Sequence, residues 1–321
     1  MAVVAADDGE QEQKALVTDK LLLPNTQLNQ RWTVLELLRT GSFGQIYLAL
    51  DSTQPMSMAV VKAESITANP CLHSIELKVL MDIAEHYSNA TIAHLVQYLD
   101  YGHTSTARFL VIDLYDRNLG DIRRGQEKQR FTVSTCLRLL CQMIRALHNL
   151  HDLGWLHRDV KPSNFCIGRQ SLHKRTVILI DYGLARKFLN EDGTHRTPRF
   201  IAGFHGTVRY ASVTTHQQQE MSARDDLWSV FYIAVEQLVG SVPWRRIHDR
   251  SEILRFKQET SFSQILNPIT KATSVLWLED QLRTMSYYST PDYDQIIHRI
   301  REDIIALGIA PTHPYDWESS G

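Results

Sequence analysis

The sequence is poor in the features that define several large classes of protein. Its 321 residues include only four cysteines, and no two of them form a C-x-x-C pair: Cys71, Cys136, Cys141 and Cys166. This pattern favours neither a disulfide framework nor a zinc site, and we expect buried free thiols. The formal net charge is only −2 at pH 7. Such a balance gives no indication of binding to nucleic acid or to an anionic membrane.

Long apolar runs are also missing. No stretch approaches the roughly 20 residues of a membrane-spanning helix, and the apolar residues 2–6 lead directly into Asp7 and Asp8 without a basic leader. We therefore expect neither a signal peptide nor a membrane anchor. With 43% apolar and 22% charged residues, the composition is typical of a globular protein. We predict a cytoplasmic location, with the nucleus left open as a second one.

The pattern along the chain predicts a β-rich region before a helical one. Residues 1–25 are polar and acidic, and we expect a mobile arm there. Strand-like runs follow at residues 32–38, 45–50, 58–62, 95–101 and 109–114. Asn69 and Pro70 form a helix-start signal, with Asn69 as the N-cap and Pro70 at the first helical position.

After Asp116 the pattern becomes helical. Apolar side chains share one face of residues 133–147, and residues 226–239 are apolar on most sides, as in a helix at the centre of a lobe. Gly154 and Gly240 are placed to end these two helices. The predicted boundaries are residues 1–25 for the arm, 26–112 for an N-terminal lobe, 113–117 for a hinge and 118–321 for a C-terminal lobe.

The most specific motif is residues 157–164, H-R-D-V-K-P-S-N. It fits the H-R-D-x-x-x-x-N catalytic loop of protein kinases at each defined position. In that chemistry the carboxylate of Asp159 meets the substrate hydroxyl, and the amide oxygen of Asn164 reaches a Mg²⁺ ion on the phosphate side. Lys161 adds a positive charge suited to the transferring phosphoryl group. An ordinary polar turn is the alternative interpretation.

A second motif, D-Y-G at residues 181–183, lies seventeen residues after Asn164 and follows a strand-like run. The D-F-G turn that binds metal in protein kinases belongs at this distance, so Asp181 is a predicted metal ligand. On its own such a tripeptide is more often a plain turn. Tyr182 replaces the usual Phe, and its hydroxyl group needs a partner or water.

Two further elements complete the predicted nucleotide site. Lys62 ends the run A-V-V-K, which fits the strand whose lysine holds the α- and β-phosphates, and Glu76 on the next helix is spaced to pair with it. The glycine-rich loop G-x-G-x-x-G is incomplete. Gly41 and Gly44 are present, but Arg39 occupies the first glycine position, where it could crowd the nucleotide or restrict the backbone. A plain hairpin turn is the alternative for this segment.

The segment at residues 206–212, G-T-V-R-Y-A-S, stands where most protein kinases carry A-P-E. This signature resembles the casein kinase 1 group, and within that group the chain looks most like the tau-tubulin kinase branch. The similar stretches extend over nearly the whole chain from residue 31: residues 156–165, 202–212, 225–229, 243–245 and 314–318. The resemblance implies an α+β, bilobal eukaryotic protein kinase fold, with a small β-rich N-lobe, a larger helical C-lobe and ATP in the cleft between them.

The resemblance also implies roles for individual residues. Asp226 would brace the backbone of the catalytic loop from the central helix. Ile112 would be the gatekeeper, and Asp113 and Tyr115 would belong to the hinge that meets adenine through backbone groups. A simple strand end is the alternative for these hinge residues. Lys161, at its place in the loop, is the mark of serine/threonine kinases rather than tyrosine kinases.

An anion pocket for the substrate is implied in the same way. In the casein kinase 1 group such a pocket uses the arginine of R-Y-A-S, here Arg209, and the backbone at the glycine that ends the central helix, here Gly240. Arg245 or Arg246 is a candidate for its third basic group. The implied partners are protein substrates with a carboxylate or phosphate N-terminal to the target hydroxyl group. Alternatively, Arg209 only fixes the activation segment to the C-terminal lobe.

Two functional hypotheses remain open. The first is an active enzyme that uses ATP and Mg²⁺ to phosphorylate serine or threonine in proteins, because every group that this chemistry needs is present: Lys62, Glu76, Asp159, Asn164 and Asp181. The second is a pseudokinase-like scaffold that binds partners and barely turns over, as Arg39 and Tyr182 suggest. Incubation with labelled ATP, Mg²⁺ and an acidic acceptor protein distinguishes them.

Overall fold

The computed structural model describes residues 20–41, 44–54, 56–68, 72–87, 93–169, 173–266 and 272–318. Most of the predicted arm, the predicted helix start at Asn69 and Pro70, and Cys71 lie outside the described residues. The chain divides into two compact units, Met1–Asn118 with Cys166–Gly183, and Leu119–Phe165 with Leu184–Gly321.

Within the described residues, strands dominate the first part of the chain and helices the second. The strands are β1 (Gln27–Leu28), β2 (Trp32–Gly41), β3 (Gly44–Asp51), β4 (Met58–Ser65), β5 (Tyr98–His103), β6 (Ala107–Asp113), β7 (Trp155–Leu156), β8 (Phe165–Ile167), β9 (Val177–Leu179) and β10 (Arg186–Lys187). The α-helices are α1 (Leu72–His86), α2 (Leu119–Arg124), α3 (Val133–Asp152), α4 (Val213–His216), α5 (Ala223–Val239), α6 (Arg250–Glu259), α7 (Phe262–Leu266), α8 (Thr273–Thr284) and α9 (Tyr293–Ala306). Two short 3₁₀ helices span Glu127–Gln129 and Pro162–Asn164.

The first unit is built on a six-stranded antiparallel sheet with the order β1-β2-β3-β4-β6-β5. Alternate residues of β3 are buried, as expected for a strand with one face on a core. Large buried side chains, among them Trp32, Tyr47 and Phe109, fill that core. The indole N–H of Trp32 donates to Asp100 at 2.8 Å, so burial of the ring leaves no unpaired polar atom.

The first hairpin is tighter than the sequence pattern indicated. We predicted a turn over residues 40–44, but β2 continues through Thr40 to Gly41, and Gly41 pairs directly with Gly44 of β3. Gly44 has a φ of +151°, and a Cβ atom there would lie 2.3 Å from the carbonyl oxygen of Ala63. Only glycine fits this position, because the neighbouring strand approaches too closely for a side chain. Residues 42 and 43 lie outside the described residues.

The second unit is helical, and α3 is its longest helix. The hydroxyl group of Thr132 caps α3 by accepting from the backbone N–H of Thr135 at 3.2 Å. Asp316, near the C-terminus, accepts in turn from the backbone N–H and the hydroxyl group of Thr132, both at 2.7 Å. Helix α9 packs along α3. Asp316 therefore fixes the start of α3, and α9 supports the helix along its side.

Helix α5 is buried on nearly every side, as its apolar composition predicted. It begins at Ala223, three residues before the predicted start, because Ser222 and Asp225 form a capping box. It ends at Gly240 as predicted, with a φ of +92°. A Cβ atom on Gly240 would lie 2.7 Å from the carbonyl oxygen of Lys128, so a side chain is excluded there.

Two observations concern the predictions of no membrane-spanning helix and of free cysteine thiols. None of the described helices is both long and apolar enough to cross a membrane. The three described cysteines, Cys136, Cys141 and Cys166, are free thiols. Burial raises the pKa of Cys141 to about 11, which disfavours its reactive thiolate form.

Candidate active site

Three of the predicted site residues meet in the first unit. Lys62 on β4 places its Nζ atom 2.6 Å from Oε1 of Glu76 on α1 and 3.3 Å from Oδ1 of Asp181. The strand, the helix and the turn after β9 each supply one charged group. Burial alone would lower the pKa of Lys62, but the carboxylates of Asp181 and Glu76 together raise it above its usual value. Lys62 is therefore a fixed cation, suited to holding phosphate oxygens.

The two carboxylates of this triad differ in exposure. Glu76 is buried, and burial raises its pKa although Lys62 opposes the shift. The Asp181 side chain is 48% exposed. Asp181 also has a φ of +69°, a left-handed conformation that turns the chain directly after β9. Glu76 thus serves to position Lys62, whereas Asp181 offers carboxylate oxygens to a ligand.

Tyr182 resolves a question that the sequence left open. Its ring is fully buried, and its hydroxyl group donates to the carbonyl oxygen of Leu179 at 2.8 Å. Its backbone N–H donates to Glu76 at 3.3 Å. Burial raises the pKa of Tyr182 well above its ordinary value, so the hydroxyl group stays neutral. The replacement of Phe by Tyr therefore introduces no unpaired polar atom at the turn.

The glycine-rich segment is not an open loop. Its two strands, β2 and β3, stay paired as far as Gly41 and Gly44. Arg39 lies in β2 opposite Ile46, next to a register shift between Leu37 and Arg39, and its side chain is half-buried. Gly41 and Gly44 face each other across the two strands. The backbone of Arg39 is thus fixed by the ladder, and any effect on nucleotide binding arises from its side chain.

The predicted hinge residues follow β6. Ile112 is buried within the sheet, and Asp113 is the last residue of the strand. The backbone N–H of Asp113 donates to the carbonyl oxygen of Gln97 at 3.1 Å, and the hydroxyl group of Tyr115 accepts from the N–H of Gln97 at 2.8 Å. Burial raises the pKa of Asp113. Gln97 therefore fixes both Asp113 and Tyr115 as the chain leaves the sheet.

The catalytic loop lies in the second unit and is densely hydrogen-bonded. Asp159 accepts from the hydroxyl group of Thr207 at 2.7 Å through Oδ1, and its Oδ2 atom lies 2.9 Å from Nζ of Lys161. The side-chain amide of Asn164 donates to the carbonyl oxygen of Asp159 at 2.9 Å. This bond uses the nitrogen of Asn164, which leaves its oxygen as the group suited to a cation.

Asp226 on α5 holds the backbone of the loop at residues 157–164, which is the bracing role that the resemblance implied. Its carboxylate accepts from the backbone N–H groups of His157 and Arg158 at 2.7 and 2.9 Å. It also contacts Nε2 of His151 at 2.9 Å, and Nδ1 of His151 contacts the hydroxyl group of Tyr293 at 2.5 Å. Burial opposes ionisation of Asp226, yet these hydrogen bonds hold its pKa below the ordinary value.

The two predicted anion-pocket residues are both connected to Glu236, a buried carboxylate on α5. Arg209 lies 4.0 Å from Glu236 and its side chain is 18% exposed, and the backbone N–H of Gly240 donates to the carbonyl oxygen of Glu236. Arg123, which the sequence pattern did not single out, lies 3.3 Å from the same carboxylate. Arg123 and Arg245 both donate to the carbonyl oxygen of Gly240. Two guanidinium groups thus lie beside one carboxylate, and Arg245 adds a third near Gly240.

A second group of residues that sequence reasoning missed holds the segment at 208–211. Each of its four carbonyl oxygens accepts from a side chain. Lys257 on α6 donates to the first and last at 2.9 and 2.6 Å, Trp244 to the second at 2.8 Å and Ser229 to the third at 2.9 Å. Lys257 is only 2% exposed, and no carboxylate of the described residues forms an ion pair with it. No sequence signal marks it, because R-F-K-Q-E is typical of a solvated helix end.

Residues 184–222, between the D-Y-G motif and α5, form the activation segment and contain a compact ionic cluster. Glu220 forms a bidentate pair with Arg199 and lies 3.4 Å from Arg186. Arg158, the residue before Asp159, donates to the carbonyl oxygen of Leu184 at 2.7 Å. Burial and the charges of Arg186 and Arg199 lower the pKa of Arg158 to about 10. The carboxylates of Glu220 and Asp226 therefore only partly offset the positive charge around Arg158.

Each unit offers one side chain whose chemistry suits a divalent cation. The described residues contain no group of three or more His, Cys, Asp and Glu side chains arranged to hold a metal. Asp181 and Asn164 instead offer one oxygen-bearing side chain each. Mg²⁺ is commonly bound through one or two such groups together with substrate phosphates and waters, rather than in an all-protein cage.

Comparison with known proteins agrees with this site. The family described as "Protein kinase domain" matches residues 32–298. A "Probable serine/threonine-protein kinase" of Dictyostelium discoideum is 32% identical over 288 residues, which are 90% of this chain and 56% of that protein. "Serine/threonine-protein kinase spe-6" of Caenorhabditis elegans is 29% identical over 309 residues, 93% of this chain and 78% of that protein. A second C. elegans protein, named "Putative casein kinase I", is 32% identical over 253 residues, 77% of this chain and 70% of that protein.

The chain belongs to the protein kinase family. The match spans little more than half the length of the Dictyostelium relative. The predictions of an α+β, bilobal kinase fold and of an ATP-dependent protein serine/threonine kinase are confirmed at the level of this family and its relatives.

Proposed function

We propose that this chain is an active protein kinase of the casein kinase 1 group, most like the tau-tubulin kinase branch, which transfers the γ-phosphate of ATP to serine or threonine in acidic or pre-phosphorylated proteins. One observation carries the proposal of activity: Asp159 is held between the hydroxyl group of Thr207 and the ammonium group of Lys161. A general base needs this kind of fixed geometry to accept a proton from a substrate hydroxyl group. A cytoplasmic location remains part of the proposal.

The proposed roles differ between the two units. In the first unit, Lys62 would hold the α- and β-phosphates, and Asp181 would bind Mg²⁺, which when bound neutralises charge on the phosphates. The predicted hinge residues, with the paired glycines Gly41 and Gly44, would contact adenine and phosphates through backbone groups. In the second unit, Asp159 would orient the acceptor hydroxyl group, Lys161 would neutralise the transferring group and Asn164 would offer its amide oxygen to Mg²⁺.

Turnover with labelled ATP, Mg²⁺ and an acidic acceptor protein tests this proposal. We expect phosphoserine and phosphothreonine in the product for the wild type, and a loss of at least about a hundredfold for Asp159→Asn, within the usual contribution of a general base. Asp280→Asn, which alters an exposed aspartate on α8, is the matched control. The scaffold hypothesis would be favoured if the wild type and Asp159→Asn gave the same residual rate.

The acid-directed preference is supported by the excess of positive charge near Arg209. Arg123, Arg209 and Arg245 lie around Glu236 and Gly240, and a guanidinium group suits a phosphate because it donates two parallel charged hydrogen bonds. We expect a phosphopeptide to have a lower KM than its unphosphorylated twin, and Arg209→Ala to remove that advantage. Arg301→Ala, an exposed arginine on α9, should retain it. An equal loss on both peptides would leave Arg209 as a structural residue.

A further inference from the structure

Two large apolar side chains in the activation segment are exposed next to each other. Phe200 is 98% exposed and Ile201 69%. Single apolar residues on a surface are ordinary, but adjacent ones in a functional segment mark a contact surface when the backbone holds them there. Their position in the chain is between the D-Y-G turn and Thr207, which contacts Asp159. They therefore lie in the part of the chain that leads to the acceptor site.

The backbone on both sides of this pair is fixed. Arg199 pairs with Glu220 through its side chain, and its backbone N–H donates to the same carboxylate at 3.2 Å. On the other side, the N–H of Ala202 donates to the carbonyl oxygen of Gln218 at 2.9 Å. Two residues between two such anchors have little freedom to turn inward. The exposure of Phe200 and Ile201 is thus a built feature of the segment.

The surroundings of the pair are basic. Residues 184–209 contain five lysine and arginine side chains but only two acidic ones, Glu191 and Asp192, in a chain whose net charge is −2. Arg158 and Arg186 add to Arg199 near the carboxylate of Glu220, and burial together with the charges of Arg186 and Arg199 lowers the pKa of Arg158. A partner that covers the apolar pair must therefore bring negative charge beside its own apolar group.

We propose that Phe200 and Ile201 form a docking surface for the acceptor protein, which binds an apolar side chain flanked by carboxylates or phosphates. This inference deepens the proposed function and rests on it. Phe200 lies seven residues from Thr207, so an extended chain places them within about 25 Å of each other. We therefore expect the preferred apolar residue to lie within about seven positions of the target serine or threonine.

The test uses an acidic serine peptide and a series of variants in which one leucine occupies each position from seven before to seven after the serine. Binding to Asp159→Asn, measured by fluorescence anisotropy, separates docking from turnover, so the result stands even if the chain is inactive. We expect one or two leucine positions to lower the Kd about tenfold. Adding Phe200→Ser and Ile201→Ser should remove this gain and leave the affinity for the leucine-free peptide unchanged.

Ile305→Ser is the matched control, because Ile305 on α9 is 76% exposed and lies outside the activation segment. It should keep the full leucine preference. The proposal is overturned if no leucine position improves binding, or if the control loses the preference to the same extent. It is also overturned if sedimentation shows a dimer that dissociates when Phe200 and Ile201 are replaced, because the pair would then bind a second copy of the chain.

Discussion

Lys257 is a buried lysine that forms no ion pair with a carboxylate of the described residues, and Lys257→Met tests what it does. Methionine has a similar length and apolar character but donates no hydrogen bond. In the wild type, Nζ donates to the carbonyl oxygens of Val208 and Ala211 and contacts Nε2 of His216 at 3.3 Å. The Nζ atom of Lys257 lies 4.8 Å from the ring centroid of Tyr232 and 5.1 Å from that of Trp244. Burial lowers the pKa of Lys257 below that of an exposed lysine.

The free-energy cost of Lys257→Met depends on which carbonyl oxygens lose their hydrogen-bond donor. The Nε2 atom of His216 also lies 3.2 Å from the carbonyl oxygen of Val208. When Lys257 is in its ammonium form it can only donate, so this nitrogen then accepts from Lys257. In Lys257→Met it is free to carry the proton and donate to Val208, so only Ala211 retains an orphaned carbonyl group. One buried unpaired acceptor costs about 1–3 kcal/mol, and relief from burying the ammonium group offsets part of this.

We therefore expect local opening of residues 206–212 to become easier by about 2 kcal/mol, which corresponds to amide hydrogen exchange roughly 30-fold faster. The KM for an acceptor peptide should rise, because Thr207 and Arg209 belong to this segment, whereas the KM for ATP should not change. Lys128→Met, at a lysine 68% exposed, is the control for loss of charge.

A double-mutant cycle with His216→Ala gives a sharper test. If His216 replaces Lys257 as the donor to Val208, the histidine change should cost more in the Lys257→Met background than in the wild type. If the free-energy costs of the two substitutions simply add, His216 does not replace Lys257 as the donor to Val208. Unchanged exchange at residues 206–212 would refute the role of Lys257 as a positioning residue.

The remaining predictions concern the catalytic groups and their environment. Asp181→Asn should nearly abolish phosphoryl transfer without lowering the melting temperature, and wild-type activity in the purified variant would disprove its assignment as the metal ligand. Arg39→Gly should lower the KM for ATP or raise turnover, and steady-state kinetics with an unchanged or higher KM would rule out crowding by the arginine. Activity should survive phosphatase treatment, because Glu220 already pairs with Arg199; a dead enzyme rescued by rephosphorylation would contradict this. Burial and the charge of Lys257 lower the pKa of His216 from 6.5 to about 4. The unfolded chain then binds a proton that the folded chain does not, so denaturation midpoints should fall as the pH drops through this window, and His216→Gln should flatten the dependence.

The sequence predicted which residues lie close together wherever their geometry depends on local spacing. Asp159, Lys161 and Asn164 project from one short loop, so a fixed interval in the sequence corresponds to a fixed geometry. Lys62 and Glu76 lie on different elements, yet the order of strand and helix was sufficient to pair them, and the structure places their charged atoms 2.6 Å apart.

Other parts of the site depend on contacts that no local pattern encodes. Arg123 and Lys257 look like surface residues of helices in the sequence, and only the packing around them encloses them. The hairpin at Gly41 and Gly44 is another example. Its strands extend further than propensity predicted, because cross-strand pairing and the close approach of Ala63 decide where a ladder ends.

The hydrogen bond between His151 and Tyr293 has a practical consequence for where the kinase domain can be cut. The family match ends at residue 298, inside α9, so a chain shortened to that match would lose the second half of the helix that presents Tyr293. It would also lose Asp316, which binds the capping residue of α3. His151 lies on α3 and contacts Asp226, the anchor of the catalytic loop. Residues after 298 therefore belong to the folded kinase domain, although they lie far in sequence from residues 157–164.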